Sequence, residues 1–462
     1  MTPNQIQQLR QAINPQRIVC DKDELARHSH DCSPLAAIRR RRGNQATCPD
    51  LIVQPADHQE VSTVLAWASS NQVPVTTWGA GSAVTGAPLA SNGGICLDLA
   101  NLNQTLEINR ENLTTRVGAG KLGGELEMEL NEHGLTLNHS PQSLAQSTVG
   151  GWLSTRSSGQ MSSRYGSIED LCVSFTVVLP SGKIIGMPSA PRAAVGPDMR
   201  QLFIGAEGML GVITDVTLKM FQIPEYRTFE SCYFPDLNKG LSALQHVMQS
   251  GLRPFLLRYY DADEAPHAMV DPQFKHPVLF LGCEGPEHVT KAEMATAIDI
   301  CRHHEGQTMG GRAVKSWMKR RFDFSGIQRI IDKPGGVAET IEVCHYWDGI
   351  RNTYNSMRAG LKPLADQVVG HFSHAYPQGV SLYFILSGCA ADDALAEKKL
   401  LNIWRVAMET CIQTGAAISH HHGVGLLRRQ PARTYLGEAI SVLEGIKQAL
   451  DPTGIMNPGK LI

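Results

Sequence analysis

The sequence predicts an α+β protein of two principal domains, and three observations carry that reading. From Pro49 to Met220 short strand-like runs alternate with amphipathic helical ones. The same stretch holds three segments rich in glycine and other small residues, at 76–88, 141–159 and 205–214. After Pro224 the texture changes to longer helical stretches separated by strands such as PFLLRYY, HPVLFLGCEG and SLYFILSG. A length of 462 residues accommodates two or three domains, each able to bury a core. The expected organisation is a helical lead-in over 1–45, a first domain over 46–222, a second over 223–440 and a turn-rich closing segment over 441–462.

Each element has a local reason. MTPNQIQQLRQAINPQR is polar and helix-like and lacks the apolar centre of a signal peptide. The run Arg39-Arg40-Arg41-Arg42 reads as a solvated turn or a salt-bridged start of a strand. LIVQP is a strand, HQEVSTVLAWASSN a helix with apolar residues at helical spacing, and VPVTTW a second strand ending in small residues. GGICLDLA, TLEIN and TTRVGAG are short strands around the amphipathic helix GGELEMELNEHG. VSFTVVLPSGKII is a strand–turn–strand with Ser-Gly at the turn, and GVITDVTLKMF closes the block as a strand.

Composition excludes several classes. With 42 basic and 44 acidic side chains the net charge is −2, which argues against nucleic acid as a partner, because phosphate binding needs a basic excess. No apolar run reaches the roughly 18–20 residues of a membrane span. Eleven cysteines are scattered singly without a CxxC pair, as expected of reduced thiols in a cytoplasmic protein.

The loop TTWGAGSAVTGAP carries Gly79, Gly81 and Gly86 after a strand. Its spacing is not the dinucleotide fingerprint, whose third glycine follows three residues after the second and opens a helix. Nor is it a P-loop, since Ala87-Pro88 stands where Lys-Ser/Thr would be. Such a loop still presents unobstructed backbone N–H groups that suit a pyrophosphate, although a plain tight turn reads equally well from this loop alone. The second segment adds Gly150-Gly151 and hydroxyls at Ser143, Ser147, Thr148, Ser154, Thr155, Ser157 and Ser158, a poor core but a good wall for a large polar planar ligand. The third adds Gly205, Gly208 and Gly211. Three such segments in one β/α domain point to an extended cofactor.

In this order, the GAGS loop, HSPQSLAQSTVGGWLSTRSSG, YGSIEDLCVSFTVVLPSGKI and GAEGMLGVIT resemble the FAD domain of the vanillyl-alcohol-oxidase/p-cresol-methylhydroxylase (PCMH-type) flavoproteins. SHAYPQGVSLYF, ISHHHGVGLLRR and DPTGIMNPGKL extend the resemblance through the second half, nearest to the alkyldihydroxyacetonephosphate synthases and related bacterial FAD-linked oxidoreductases. It implies a two-subdomain PCMH-type FAD-binding domain, an α+β substrate (cap) domain with an antiparallel sheet, and a last segment that returns to the FAD domain. By the same resemblance Thr77, Trp78, Gly79, Ala80, Gly81, Ser82 and Ala83 cradle the FAD pyrophosphate. Pro141, Gln142, Ser143, Leu144, Ala145, Gln146 and Ser147, with Thr155, Arg156, Ser157 and Ser158, contact the ribityl chain and isoalloxazine. Glu207, Gly208, Met209, Leu210, Gly211, Val212 and Ile213 close over the adenine side. Many relatives attach flavin through a histidine in or near the first loop, which here has none, so noncovalent FAD is expected.

Of 17 histidines three are consecutive, His420, His421 and His422, between a small-residue approach and a glycine exit, as at a strand end beside a cleft. Consecutive side chains diverge, so at most two face one site. The resemblance places Tyr383 at the family's proton-transferring tyrosine and Arg258, a charge inside an apolar strand, at a functionally needed arginine suited to an anion. The metal-binding motif of the related flavin 2-hydroxy-acid dehydrogenases is altered: the first part runs His374 to Tyr383 without its Gly-Asp-Gly-Asn, and His421 stands at the glutamate position. No metal is expected, with His374 and His421 or His422 left as a pairing that geometry alone would turn to zinc.

The expected activity is an FAD-dependent oxidoreductase that takes a hydride from a hydroxylated small organic substrate to flavin N5, with Tyr383 or one of His420, His421 and His422 removing the hydroxyl proton. The alternative is a non-redox, alkyldihydroxyacetonephosphate-synthase-like transferase using a flavin N5 adduct. A third reading is a flavin-binding subunit without its own turnover. Expected partners are the small-molecule substrate, an electron-carrier protein and a second copy of the chain as a homodimer.

Overall fold

The computed structural model describes residues 1–44 and 48–462. The lead-in is helical, with helices Pro3–Ala12, Lys22–Arg27 and Pro34–Arg41 started by the side-chain caps Thr2, Asp21 and Ser33. The four arginines correct the sequence reading, because Arg39, Arg40 and Arg41 form the last turn of a helix and Arg42 its cap. Arg39 and Arg41 reach Glu397 and Asp393 at 2.8 Å, and Arg42 also pairs with Glu397. Cations at one helix's C-terminus meet carboxylates in the first turns of helix Asp393–Thr414, a pairing both helix dipoles favour.

The first domain has two sheets. Leu51–Val53, Ile95–Asp98 and Val75–Trp78 run parallel in a four-stranded sheet whose outer strand is Ile18–Val19. Helix His58–Asn71 starts on the Asp57 cap and buries Val61, Val64, Leu65 and Ala68 in the domain core. A five-stranded antiparallel sheet follows in the order Thr105–Asn109, Thr114–Gly118, Val212–Lys219, Cys172–Val178, Ile184–Gly186. Ile455, Met456 and Leu461 from the end of the chain belong to the same core, where Val75 and Met456 form a parallel bridge.

The second domain is one seven-stranded antiparallel sheet, ordered Gln307–Thr308, Tyr226–Tyr233, Val278–Gly285, Leu256–Tyr260, Gln367–Ala375, Gly379–Cys389, Gly336–Tyr346. Its larger core packs Leu257, Leu279, Phe372 and Phe384 with helices Leu237–Gln249, Glu287–His303, Ile350–Leu361 and Asp393–Thr414. Residues of the central strands also meet the first domain: the Ser163 hydroxyl accepts from the Ala375 N–H, and Tyr165 donates to Glu284. No helix among the described residues is long and apolar enough to cross a membrane.

Candidate active site and cofactor cradle

The cradle is built by the turn after Val75–Trp78. No backbone N–H from Gly79 to Val84 meets a protein acceptor among the described residues, which leaves a run of donors free for an anion. The lead-in holds this loop from behind: Cys32 N–H donates to the Ala83 carbonyl at 2.9 Å, and Asp31 accepts from Gly86 N–H at 2.7 Å. Glycine is required sterically, since a Cβ on Gly79 would lie 2.4 Å from Thr148 Oγ1. Gly81, at φ +68°, would place one 2.4 Å from the Trp78 ring. That indole is buried against His28, with centroids 4.8 Å apart, so it supports the loop from beneath. Thr77 Oγ1 is buried without a partner, and Gly208 is brought beside it, where a Cβ would come within 3.3 Å. Free N–H donors, an orphaned hydroxyl and glycines that cannot carry a side chain fit the pyrophosphate of FAD.

The remaining residues expected at the cofactor divide in two. Several hydroxyls are already engaged: Ser147 receives the Trp152 indole N–H and donates to the Ser143 carbonyl, Ser158 pairs with Ser167, and Thr155 donates to the Gly151 carbonyl. Gln142 donates to the Arg321 carbonyl, and Arg156 turns to Glu169 and Gln201. Pro141 is buried, whereas Leu144–Gln146 form a single 3-10 turn whose Ala145 and Gln146 are exposed. The side chains of Met209, Leu210, Val212 and Ile213 are core, and the backbone of Val212 and Ile213 pairs with Val178 and Val177 in the five-stranded sheet, so these positions shape the segment around Gly211 and offer a ligand no side chain. Glu207 has another duty: its carboxylate accepts the N–H groups of Val424 and Gly425, tying the glycine turn to the histidine loop. Orphaned polar atoms on Asn138 and Ser140, beside the buried His139, were missed; the signal was the polar run Asn-His-Ser itself.

The side chains expected to be catalytic belong to a row across the second sheet and the loop beside it. Tyr260 registers with His371, His371 with Tyr383, and Tyr383 with Glu342, so four strands set these side chains on one face. His371 stacks on Tyr383, with centroids 4.9 Å apart and planes 19° off parallel. Burial pushes the half-buried Tyr383 hydroxyl up to about 12, so at neutral pH it is a proton donor.

Arg258 lies two residues before Tyr260. Its Nε donates to the Tyr260 hydroxyl at 3.0 Å and one Nη donates to His371 Nε2 at 2.7 Å, while the guanidinium packs 5.0 Å from the Trp317 ring. Because His371 Nε2 accepts, its Nδ1 carries the proton and donates to Glu264 at 2.9 Å. Arg258 thus has no direct carboxylate partner among the described residues, the nearest link to one running through His371 to Glu264.

The three consecutive histidines wrap around a carboxylate. Glu342 is fully buried and accepts the N–H groups of His420 and His422, the latter at 2.8 Å, and the Ser419 hydroxyl at 3.1 Å. It also pairs with the buried Arg428 at 2.8 Å, and this cation with the donated hydrogen bonds holds its carboxyl at about 2 against the opposing effect of burial. Bent in this way, the loop stacks His421 over Tyr383 at 6.1 Å and sets His422 edge-on to it at 5.8 Å, while His420 turns towards Tyr376 and His374. Burial lowers His420 and His422 to about 4 and holds His421 well below the ordinary imidazole value, so all three are neutral bases at pH 7.

Nitrogens of His374, His420 and His421 lie within 4.8 Å of one another. Their hydrogen bonds occupy most of them, however: His374 Nε2 donates to the Gly159 carbonyl at 3.1 Å, its Nδ1 accepts from Ser381 at 3.1 Å, and His420 Nε2 meets Tyr376 at 2.8 Å. The rings of His374 and His420 are stacked, 25° from parallel, with centroids 4.7 Å apart.

A backbone cradle for a dinucleotide, facing an acid–base row on an antiparallel sheet, defines a two-domain flavoprotein of the PCMH type. Residues 49–187 match the FAD binding domain family, and 223–461 match the C-terminal domain of FAD linked oxidases. The chain belongs to the FAD-linked oxidase family, and FAD is its cofactor. It is 30% identical over 479 residues to the uncharacterised FAD-linked oxidoreductase YgcU of Escherichia coli O157:H7, covering 99% of this chain and 97% of that one. It is 29% identical over 504 residues to an alkyldihydroxyacetonephosphate synthase of Dictyostelium discoideum, covering 100% and 81%. The solved structure of p-cresol methylhydroxylase with substrate bound is similar in fold alone, with a TM-score of 0.82 at 15% identity over 99% and 96% of the two chains.

Proposed function

We propose that this enzyme oxidises a small hydroxylated organic substrate that carries an anionic group. Bound FAD, held noncovalently on the backbone cradle, supplies the hydride acceptor. The observation that carries the reading is the pairing of neutral His421 and His422 against the protonated Tyr383, beside an Arg258 with no direct carboxylate partner among the described residues. Arg258 binds the substrate's carboxylate or phosphate, Tyr383 hydrogen-bonds the reacting oxygen, and His421 takes the hydroxyl proton. His371, fixed by Glu264, keeps the Arg258 fork aimed. Electrons then pass to O₂ or to a carrier protein, and the chain works in the cytoplasm.

A second reading is supported by the similarity to the synthase together with the same arginine: a non-redox exchange on a dihydroxyacetone-phosphate ester, with Arg258 on the phosphate and Tyr383 moving the proton. Anaerobic titration of the purified holoprotein separates the two. Bleaching of the flavin band by a hydroxy acid, sugar acid or alcohol is the expected result. Spectral change with a dihydroxyacetone-phosphate ester only, across the whole panel, overturns oxidation in favour of transfer.

A further inference from the structure

His420 and His421 face each other Nδ1 to Nδ1 at 2.9 Å, a distance at which one ring donates and the other accepts. On its outer side His420 Nε2 lies 2.8 Å from the Tyr376 hydroxyl. Tyr376 is half-buried, adjoins the exposed Pro377 and Gln378, and has Ser167, Glu169 and Asp170 beside its phenol. On the inner side His421 stacks over Tyr383, and its Nε2 makes no hydrogen bond among the described residues. A free acceptor at the reactive end, two ring-to-ring contacts and a half-buried phenol beside Glu169 and the exposed Asp170 form one unbroken chain.

We infer that His421, His420 and Tyr376 are a proton relay that carries the substrate's hydroxyl proton outward, with Tyr376 as its outlet; this rests on the oxidation reading above. The transfers balance. At rest His421 Nδ1–H donates to His420 Nδ1, His420 Nε2–H donates to Tyr376, and Tyr376 O–H points outward. A proton arriving at His421 Nε2 moves the Nδ1 proton to His420 Nδ1 and the His420 Nε2 proton to the Tyr376 oxygen. The original phenolic proton leaves to water or to Glu169. Each group ends neutral, with both imidazoles in the opposite tautomer, which must reset before the next turnover. The groups packed around the two rings are His374, stacked 4.7 Å from His420, Glu342, which binds the His420 N–H, and His422 with Arg428 behind it. Burial keeps both relay imidazoles uncharged, the state in which each can receive a proton on one side and release one on the other.

The test uses holoenzyme labelled with ¹⁵N-histidine, compared with Tyr376→Phe. In the wild-type protein a through-hydrogen-bond coupling between the Nδ1 nuclei of His420 and His421 is expected, and its absence overturns the relay whatever the variant does. In Tyr376→Phe the tautomers of His420 and His421 should shift together; a change confined to His420, or none, also overturns it. Flavin bleaching by the best substrate of the panel should slow about tenfold with a larger solvent deuterium effect, a step below the 10²–10⁴-fold of direct general-base loss. An unchanged rate and isotope effect overturns the outlet role. The NMR measurement needs no substrate, so a panel that bleaches nothing defeats the oxidation reading while the coupled tautomers still decide the relay.

Discussion

The cofactor cradle and the catalytic row are built on opposite principles. The cradle is a contiguous backbone loop: its donors are the N–H groups from Gly79 to Val84, and its side chains matter mainly by being absent. The row is the reverse, with Tyr260, His371, Tyr383 and Glu342 drawn from four strands and brought together only through their side chains. A loop of this kind fails by steric intrusion, all at once. A sheet row fails by degrees, because each member is held by the others.

Breaking the cradle should have the largest effect. Gly81→Val forces a β-branched residue into φ +68° against the Trp78 ring, and the purified protein is expected to lose its flavin band while staying folded. A variant that retains full flavin would show that the loop is not the pyrophosphate site. In the row, Tyr383→Phe should slow substrate bleaching of the flavin by 10²–10⁴-fold, measured by stopped flow, with flavin content unchanged. Glu342→Gln removes the partner of a fully buried arginine, so chemical denaturation should show a loss of about 3 kcal/mol with the histidine loop disordered. Arg258→Met should raise Kd for anionic substrates about 10–100-fold, with little change for a neutral alcohol, by titration of the flavin spectrum.

The smallest effect sharpens the comparison through pH. His420 and His422 titrate at about 4 in the folded chain and at the ordinary 6.5 when unfolded, so between those values the unfolded chain binds more protons. Stability should therefore rise with pH across that window and fall as the protein is acidified from about 6.5 to 4. His422→Gln should flatten the dependence of Tm on pH there, whereas a substitution in the cradle should leave the slope unaltered.

Much of the first domain was legible because its information is local. Strand, glycine turn and helix follow one another within a dozen residues, and VPVTTW, GGELEMELNEHG and GVITDVTLKMF all fold as their spacing predicts, at Val75–Trp78, Gly123–Glu132 and Val212–Lys219. The arginine run was misread because its partners, Asp393 and Glu397, lie some 350 residues away in sequence. Glu207 reads locally as part of a glycine-rich cofactor segment, yet its carboxylate clamps a loop from the other end of the chain. His371 had a signal in the alternation of His371 and Ser373 with apolar neighbours, but nothing local says that Arg258 donates to it.

By itself the sequence determined that a β/α domain with glycine-rich segments for an extended cofactor precedes an α+β domain, while the resemblance of its motifs to a known family implied FAD and pointed to Tyr383 and Arg258. The first of these depends on consecutive backbone groups and on periodicity, which short-range sterics and hydrogen bonding dictate. Only the tertiary structure decided that Glu342 gathers the histidine loop around its carboxylate, that Arg258 has no direct carboxylate partner among the described residues, and that two histidines and a tyrosine form one hydrogen-bonded line. Those relations arise from strand pairing and loop closure between distant segments, where direction and distance are set by the packed sheet and by no neighbouring residue.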